Sequence, residues 1–281
     1  MQGKICIVTG SNSGIGRATA EGLAKLGATV IMVVRNQQRG EEARSEIVKT
    51  SGNDSVDLML CDLSSMSDIK KFAGDFASKY RRLDVLINNA GAVFNKREVT
   101  ADGFERTLAV NYLAPFLLTR ELLPTLRAAA ASRVINLTSG LYVRGHVDFA
   151  DLQSARHYGG MTAYANAKLM VLMFTYELAR RLEGTGITVN AVHPGFVASN
   201  LGKNTRSKRS SIMFGMMRPF QISPQKAAVT PVYLSSSLEV QGMTGGYWSK
   251  MHERRSSDAS YDRETQTRLW AATENLLSLG V

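Results

Sequence analysis

The sequence predicts an α/β fold, a doubly wound parallel sheet flanked by helices, and three observations predict it. Short β-rich runs alternate with longer stretches of helical periodicity, as successive βαβ units require. The β-rich runs are nearly continuous in Val, Ile and Leu, which is how a strand reads when both faces of its sheet are covered. A glycine-rich turn separates the first strand from the first helix, where such a sheet opens to a ligand.

Taken in order, Ile5–Val8 is a strand of this continuous apolar kind, and the apolar residues of Gly14–Leu26 return at helical spacing. Thr29–Val34 (TVIMVV) is filled with β-branched side chains and reads as the second strand, with the helix Gln38–Lys49 after it. Val56–Leu60 and Val85–Ile87 are short apolar strands on either side of the helical Met66–Lys79. Thr107–Leu126 and Met161–Leu182 are two long helices, separated by the strand Arg133–Leu137 and followed by the strand Ile187–Val192. The tail from His252 reads as helix beyond Ser260.

One domain accounts for the 281 residues. No internal repeat, low-complexity segment or Pro/Gly/Ser-rich linker divides 1–281, and a chain this long buries enough surface to need neither disulfide nor metal. The two cysteines, Cys6 and Cys61, lie far apart in apolar stretches without a CxxC or Cys/His cluster, as buried thiols in a reducing compartment would. The N-terminus enters a strand directly, with no signal-peptide core. No apolar run reaches the roughly 20 residues that cross a bilayer, so a cytoplasmic protein is expected.

Lys and Arg number 34 against 24 Asp and Glu, a formal charge of +10. Nucleic acid is not the expected partner, because the basic run lacks interleaved aromatics and no recognition motif accompanies it. Much of the charge lies in Leu201–Leu238, which has no acidic residue but carries Lys203, Arg206, Lys208, Arg209, Arg218 and Lys226. Inside it stand Ile212-Met213-Phe214-Gly215-Met216-Met217 and Pro219-Phe220. An irregular insertion of this kind in an α/β domain is usually a functional loop.

The turn Thr9-Gly10-Ser11-Asn12-Ser13-Gly14-Ile15-Gly16-Arg17 runs from strand into helix. Gly10, Gly14 and Gly16 let backbone approach a pyrophosphate, and the helix N-terminus at Asn12, Ser13 and Ile15 offers unpaired N–H groups to an anion. The spacing is GxxxGxG rather than the commoner GxGxxG. Where NAD-binding sheets carry an acidic residue for the ribose 2′-hydroxyl, this chain has Arg35-Asn36, with Arg39 a turn later. A guanidinium there favours a 2′-phosphate, so the expected cofactor is NADP(H).

Tyr164 and Lys168, at i and i+4, share a helix face. A phenol near pKa ~10 is a poor acid or base at neutral pH, and the Lys168 ammonium is expected to draw it toward ~7. Ser139 closes the fifth strand, where its hydroxyl can hold a carbonyl or alkoxide oxygen. No GxSxG surrounds it, which sets aside a hydrolase. The four histidines have no metal-ligand spacing, and His193 reads as structural.

In this order, Thr9–Gly16, Asp62-Leu63, Asn88-Asn89-Ala90-Gly91, Asn111, Ser139, Tyr164-Ala-Asn-Ala-Lys168 and His193-Pro194-Gly195 resemble the short-chain dehydrogenase/reductase family, over Lys4 to about Trp270. Within it the likeness is to retinol-dehydrogenase-like members. That rests on Arg35-Asn36, Asp102-Gly103-Phe104-Glu105, Glu177–Leu182 with Gly184-Thr185-Gly186, and Tyr233-Leu234 followed by Leu269-Trp270. The resemblance implies a single-domain Rossmann fold and hydride transfer between nicotinamide C4 and a carbinol carbon, with Tyr164 as general acid/base. It implies that Asn111 anchors the water linking Lys168 to solvent, that Asp62 and Leu63 meet the adenine, and that Asn89, Ala90 and Gly91 line the adenosine ribose. Pro194, Gly195, Val197 and Ser199 would meet the nicotinamide. Ala167 departs from the pattern, since many members place Ser before the Lys, but that residue takes no part in proton transfer. Family members are commonly homodimers or homotetramers through the two long helices.

Members of this kind also place a segment over the substrate after the Pro-Gly turn, here 199–222. Its Met213, Phe214, Met216, Met217 and Phe220 make an adaptable apolar wall suited to a lipophilic aldehyde, ketone or alcohol. The same basic, apolar stretch, 203–220, suits peripheral contact with an anionic membrane, and an ordinary loop is a third reading. The rival to an enzyme is a catalytically idle NADPH-binding sensor or interaction protein on the same fold.

Overall fold

A computed structural model describes residues 1–197 and 221–278. Strands β1 (Ile5–Thr9), β2 (Thr29–Val34), β3 (Val56–Leu60), β4 (Val85–Asn88), β5 (Ser132–Leu137) and β6 (Ile187–Val192) each fall within one residue of the expected runs. Two short strands that the sequence does not announce, β7 (Tyr247–Ser249) and β8 (His252–Arg254), complete the sheet in the order β3-β2-β1-β4-β5-β6-β7-β8. Neighbours run parallel except β7 and β8, a hairpin whose two-residue turn holds Lys250 and Met251 at φ 53° and 60°. The parallel sheet therefore carries one antiparallel edge strand.

Helices α1 (Gly14–Lys25), α2 (Gln37–Ser51) and α3 (Met66–Lys79) follow expectation. The expected long helix is broken in two: α4 (Arg106–Leu108) and α5 (Ala114–Arg127) are joined by a π-helical turn over Ala109–Leu113. Two residues explain the break. Pro115 has no N–H to offer the Asn111 carbonyl one turn back. The Asn111 side chain donates to Thr107 O at 2.8 Å, competing with its own backbone for that acceptor. The unbroken α6 (Gly160–Arg181) carries Tyr164 and Lys168, and α7 (Pro224–Ser236) and α8 (Arg263–Leu276) follow β6.

The sheet buries side chains on both faces, as the continuous apolar runs require. Along β1, Ile7 joins the core under α3, α5, α6 and α8, while Cys6 and Val8 join the one under α1, α2 and α7. Burial pushes both thiols up, Cys61 to about 12, so neither ionises at neutral pH. Among the described residues no helix is long and apolar enough to cross a membrane. Ser199, the expected lid 199–222 except its last two residues, and the stretch 203–220 lie outside the described residues.

The tail helix α8 starts at Asp262, whose side chain accepts from Glu264 N and Thr265 N. It lies across α5 and α6: the Trp270 ring centroid is 4.8 Å from that of Phe116 and 5.9 Å from that of Phe174, with the Arg181 guanidinium 4.3 Å from the indole. Tyr112 and Thr273 share a hydrogen bond of 2.7 Å, and Arg120 pairs with Glu274. α8 thus covers part of both helices. Trp270→Ala is expected to destabilise the fold by about 3 kcal/mol, read from urea denaturation, because it empties the contact that seats α8.

Candidate active site

The strand order reverses between β1 and β4, whose C-terminal ends leave the sheet side by side. Thr9 ties them together: its Oγ1 accepts from Asn89 N at 2.9 Å and Ala90 N at 3.0 Å. Asn89 returns a bond from Nδ2 to Thr9 O at 2.7 Å. A Cβ on Gly16 would lie 2.4 Å from Gly10 O, and one on Gly10 would lie 3.0 Å from Ala90 Cα, so neither position has room for a side chain. Gly14, at φ +56°, faces open space instead.

Ser13 caps α1 without a side-chain bond, the first turn of α1 has no acidic residue, and Ser11 Oγ is buried without a protein partner. This concave backbone with free helix N–H groups fits the pyrophosphate of a dinucleotide. Asn12 stands half-buried in the turn, and Ile15 packs back onto the core.

Arg35 and Arg39 are exposed just past the end of β2. Asn36 between them caps α2, its Oδ1 accepting from Arg39 N at 2.9 Å, which occupies that oxygen and sets the start of the helix. Asp62 Oδ1 accepts from Ser64 N and Oγ at 2.9 and 2.7 Å, while Ser65 caps α3. Leu63 packs against the core beside them.

Beyond β5, Ser139 Oγ accepts from Leu141 N at 3.3 Å, opening a short 3₁₀ turn over Gly140–Arg144, and lies near enough to the Tyr164 phenol to pull its pKa down. One turn along α6, the buried Lys168 Nζ sits 5.6 Å from the Tyr164 ring centroid and donates to Leu137 O at 2.9 Å. The π turn aims Asn111 at the loop after β4: Oδ1 accepts from Ala92 N at 3.1 Å and Nδ2 donates to Ala92 O at 2.8 Å. Gly91 stands where these groups meet, since a Cβ there would be 2.9 Å from Asn111 Oδ1 and 3.4 Å from Lys168 Nζ. Ser139, Tyr164, Lys168 and Asn111 are thus brought together from separate parts of the chain.

Their electrostatics depart from expectation. Burial pushes the Tyr164 phenol up to about 12, against a smaller downward pull from Ser139, where the sequence suggests a fall toward ~7. Burial also lowers Lys168 to about 8. Low polarity disfavours the charged form of each, which raises the phenol and lowers the amine. Folding stability should therefore rise as pH climbs from about 8 toward the ordinary lysine value of ~10.4, because the unfolded chain holds a proton there that the folded one releases. Lys168→Met is expected to remove that slope and raise stability at neutral pH by about 2 kcal/mol, measured by urea denaturation across pH.

On the third side, Pro194 and Gly195 follow β6. Gly195 has φ +89°, and a Cβ there would lie 2.9 Å from the Ile222 side chain. Val197 is buried and bridges Ile222 in parallel, with Ile222 N donating to Phe196 O at 2.8 Å. Two contributors lie outside the residues assigned from sequence: Thr9, the latch between β1 and β4, and His193, whose Nδ1 accepts from Gly140 N at 3.1 Å. A polar residue ending a strand just before a glycine turn was the available signal for Thr9.

A family model described as short chain dehydrogenase matches residues 4–210. Retinol dehydrogenase 13 of Mus musculus is 40% identical over 284 residues, covering 99% of this chain and 85% of the relative. The crystal structure of an uncharacterised protein from Mycobacterium paratuberculosis superposes with a TM-score of 0.80 at 30% identity, over 99% of this chain and 94% of that one. The RhlG/NADP active-site complex of Pseudomonas aeruginosa superposes at 0.71 with 25% identity, over 88% and 94%.

Proposed function

The chain belongs to the short-chain dehydrogenase family and is an oxidoreductase using a nicotinamide dinucleotide; we propose that it takes NADP(H) and interconverts a lipophilic aldehyde or ketone with the matching alcohol. One observation carries this reading: four separated polar residues, Ser139, Tyr164, Lys168 and Asn111, converge at the open end of the sheet beside a glycine cradle.

The bound dinucleotide supplies or accepts the hydride. Gly10–Gly16 receive its pyrophosphate, Arg35 and Arg39 its 2′-phosphate, and Pro194, Gly195 and Val197 its nicotinamide end. Asp62 and Leu63 meet the adenine; Asn89, Ala90 and Gly91 meet the ribose. Ser139 holds the substrate oxygen and Tyr164 exchanges a proton with it. A phenol kept protonated by burial is loaded to donate, the role that carbonyl reduction asks of it. Lys168 lies beside Tyr164, and Asn111 anchors the water that links Lys168 to solvent.

A lipophilic substrate is supported by the name of the mouse relative and by exposed apolar residues next to the site. Val143 follows Ser139, Met161 precedes Tyr164 by one turn, and Phe196 follows Gly195; they are 62%, 45% and 37% exposed. Against the idle-sensor reading stands the complete set of Ser139, Tyr164, Lys168 and Asn111, since a sensor that only binds the cofactor, a role Tyr164 and Lys168 also serve, has no need of a proton relay. The test is NADPH consumption with retinal and long-chain aldehydes beside small ones. Turnover favouring the bulky members supports the proposal; NADPH bound but consumed with none of them returns the sensor. Cytoplasmic placement with peripheral membrane contact through 203–220 is proposed from sequence alone, and co-sedimentation with phosphatidylserine vesicles tests it.

A further inference from the structure

The turn that carries Ser139 is held on three sides. Tyr142 N donates to Ser139 O at 3.0 Å, and the buried Tyr142 phenol accepts from Ser257 N at 3.1 Å, which ties the turn to the C-terminal segment. Gly145 closes on α6, where a Cβ would meet Ala165 O at 2.5 Å. The first N–H after Ser139, that of Gly140, depends on a different group, the Nδ1 of His193 at 3.1 Å. A Cβ on Gly140 would lie 3.2 Å from His193 Cε1 and 3.3 Å from Nε2, so the imidazole lies against the turn as well as bonding to it.

His193 is itself rigidly placed. Its backbone N–H donates to Trp248 O at 2.8 Å, and Thr138 N donates to Val192 O at 2.9 Å, so β5, β6 and β7 stay in register up to the site. Accepting at Nδ1 puts the ring proton on Nε2. Burial holds the imidazole below its ordinary value, which keeps that lone pair available near neutral pH.

We propose that His193 is a positioning residue for the reaction: by accepting the Gly140 N–H it fixes the turn that holds the Ser139 hydroxyl against Tyr164. The proposal rests on the oxidoreductase reading above and adds to it a residue that acts through Ser139. Without an acceptor at that point, Gly140 is free to turn over its wide range of backbone angles, and Ser139 loses its angle to the substrate oxygen. Small misplacements of this kind cost about ten- to a hundredfold in rate. The function needed is a lone pair at one place, which the Oδ1 of an asparagine also supplies.

The test compares wild type, His193→Leu and His193→Asn with NADPH and retinal, alongside hydrogen exchange at the Gly140 amide. His193→Leu should lower kcat about ten- to a hundredfold, leave the Kd for NADPH within about twofold and speed Gly140 exchange. His193→Asn should restore both kcat and the slow exchange to near wild type. Equal kcat in the two variants, a loss of NADPH affinity matching the loss of rate, or unchanged Gly140 exchange in His193→Leu would overturn the assignment. A wild type that binds NADPH but consumes it with neither retinal nor any long-chain or small aldehyde overturns the proposed reaction and this proposal with it; that outcome is recognised from the wild type alone.

Discussion

Tyr164→Phe should lower kcat for carbonyl reduction by about a thousandfold, within the range removed when a positioned general acid is lost, while leaving the affinity for NADPH nearly unchanged. The substitution deletes one oxygen from a buried ring and leaves its packing on α6 in place. That oxygen makes none of the hydrogen bonds that hold the described fold together, so the fold tolerates its loss. The same burial that pushes the phenol up to about 12 keeps it protonated throughout the physiological range. Reduction by the wild type should therefore hold steady across neutral pH, whereas alcohol oxidation, which needs the phenolate, should rise as pH rises. Steady-state rates in both directions between pH 6 and 10 check the pair of trends. A Phe variant that keeps wild-type turnover would remove Tyr164 from the chemistry.

Arg35→Asp should weaken NADPH binding by about a hundredfold and tighten NADH, reversing the preference. A guanidinium on a phosphate contributes a charge-assisted hydrogen bond of about 1.5–3 kcal/mol. The aspartate adds repulsion toward a 2′-phosphate and an acceptor for a 2′-hydroxyl. Arg35 is exposed, so its replacement disturbs no packing. Arg39→Ala should act in the same direction and less strongly, because it removes an attraction without adding a repulsion. Fluorescence titration of both nucleotides against each variant measures the effect. Equal affinity of the unaltered protein for NADH and NADPH would contradict the assignment of these arginines.

Much of this was legible in the residues, for identifiable reasons. A strand buried on both faces is dominated by apolar residues, so β1, β2, β4, β5 and β6 could be read within a residue, and the edge strand β3 was legible from its apolar run. The glycines at 10 and 16 have no alternative residue that fits, and Tyr164 and Lys168 share a face by spacing alone. What escaped was set by partners distant in sequence. β7 and β8 are three residues each, too short for a period to register, and exist because the hairpin at Lys250-Met251 pairs with the edge of β6. The break at Ala109–Leu113 was written in Pro115 and Asn111, yet the apolar spacing on both sides reads as one helix. The place of α8 on α5 and α6 depends on Trp270 finding Phe116 and Phe174, which no local pattern announces. The phenol of Tyr164 lies higher than spacing suggests, because spacing shows the nearby amine but not the depth at which both lie. His193 looked structural from sequence; its bond to Gly140 joins the ends of two strands that neither segment reveals by itself.

The central claim, hydride transfer to a carbonyl carbon at the Ser139–Tyr164–Lys168–Asn111 site, is tested most directly by isotope tracing. NADPH deuterated at the transferable C4 position is incubated with retinal and the protein, and the alcohol product is analysed by mass spectrometry and NMR. The account predicts one deuterium on the carbinol carbon, formed by the wild type and lost in Tyr164→Phe. Alcohol formed without the label would contradict direct transfer, and labelled NADPH that binds but is returned intact with retinal and with every long-chain aldehyde would contradict the proposed reaction.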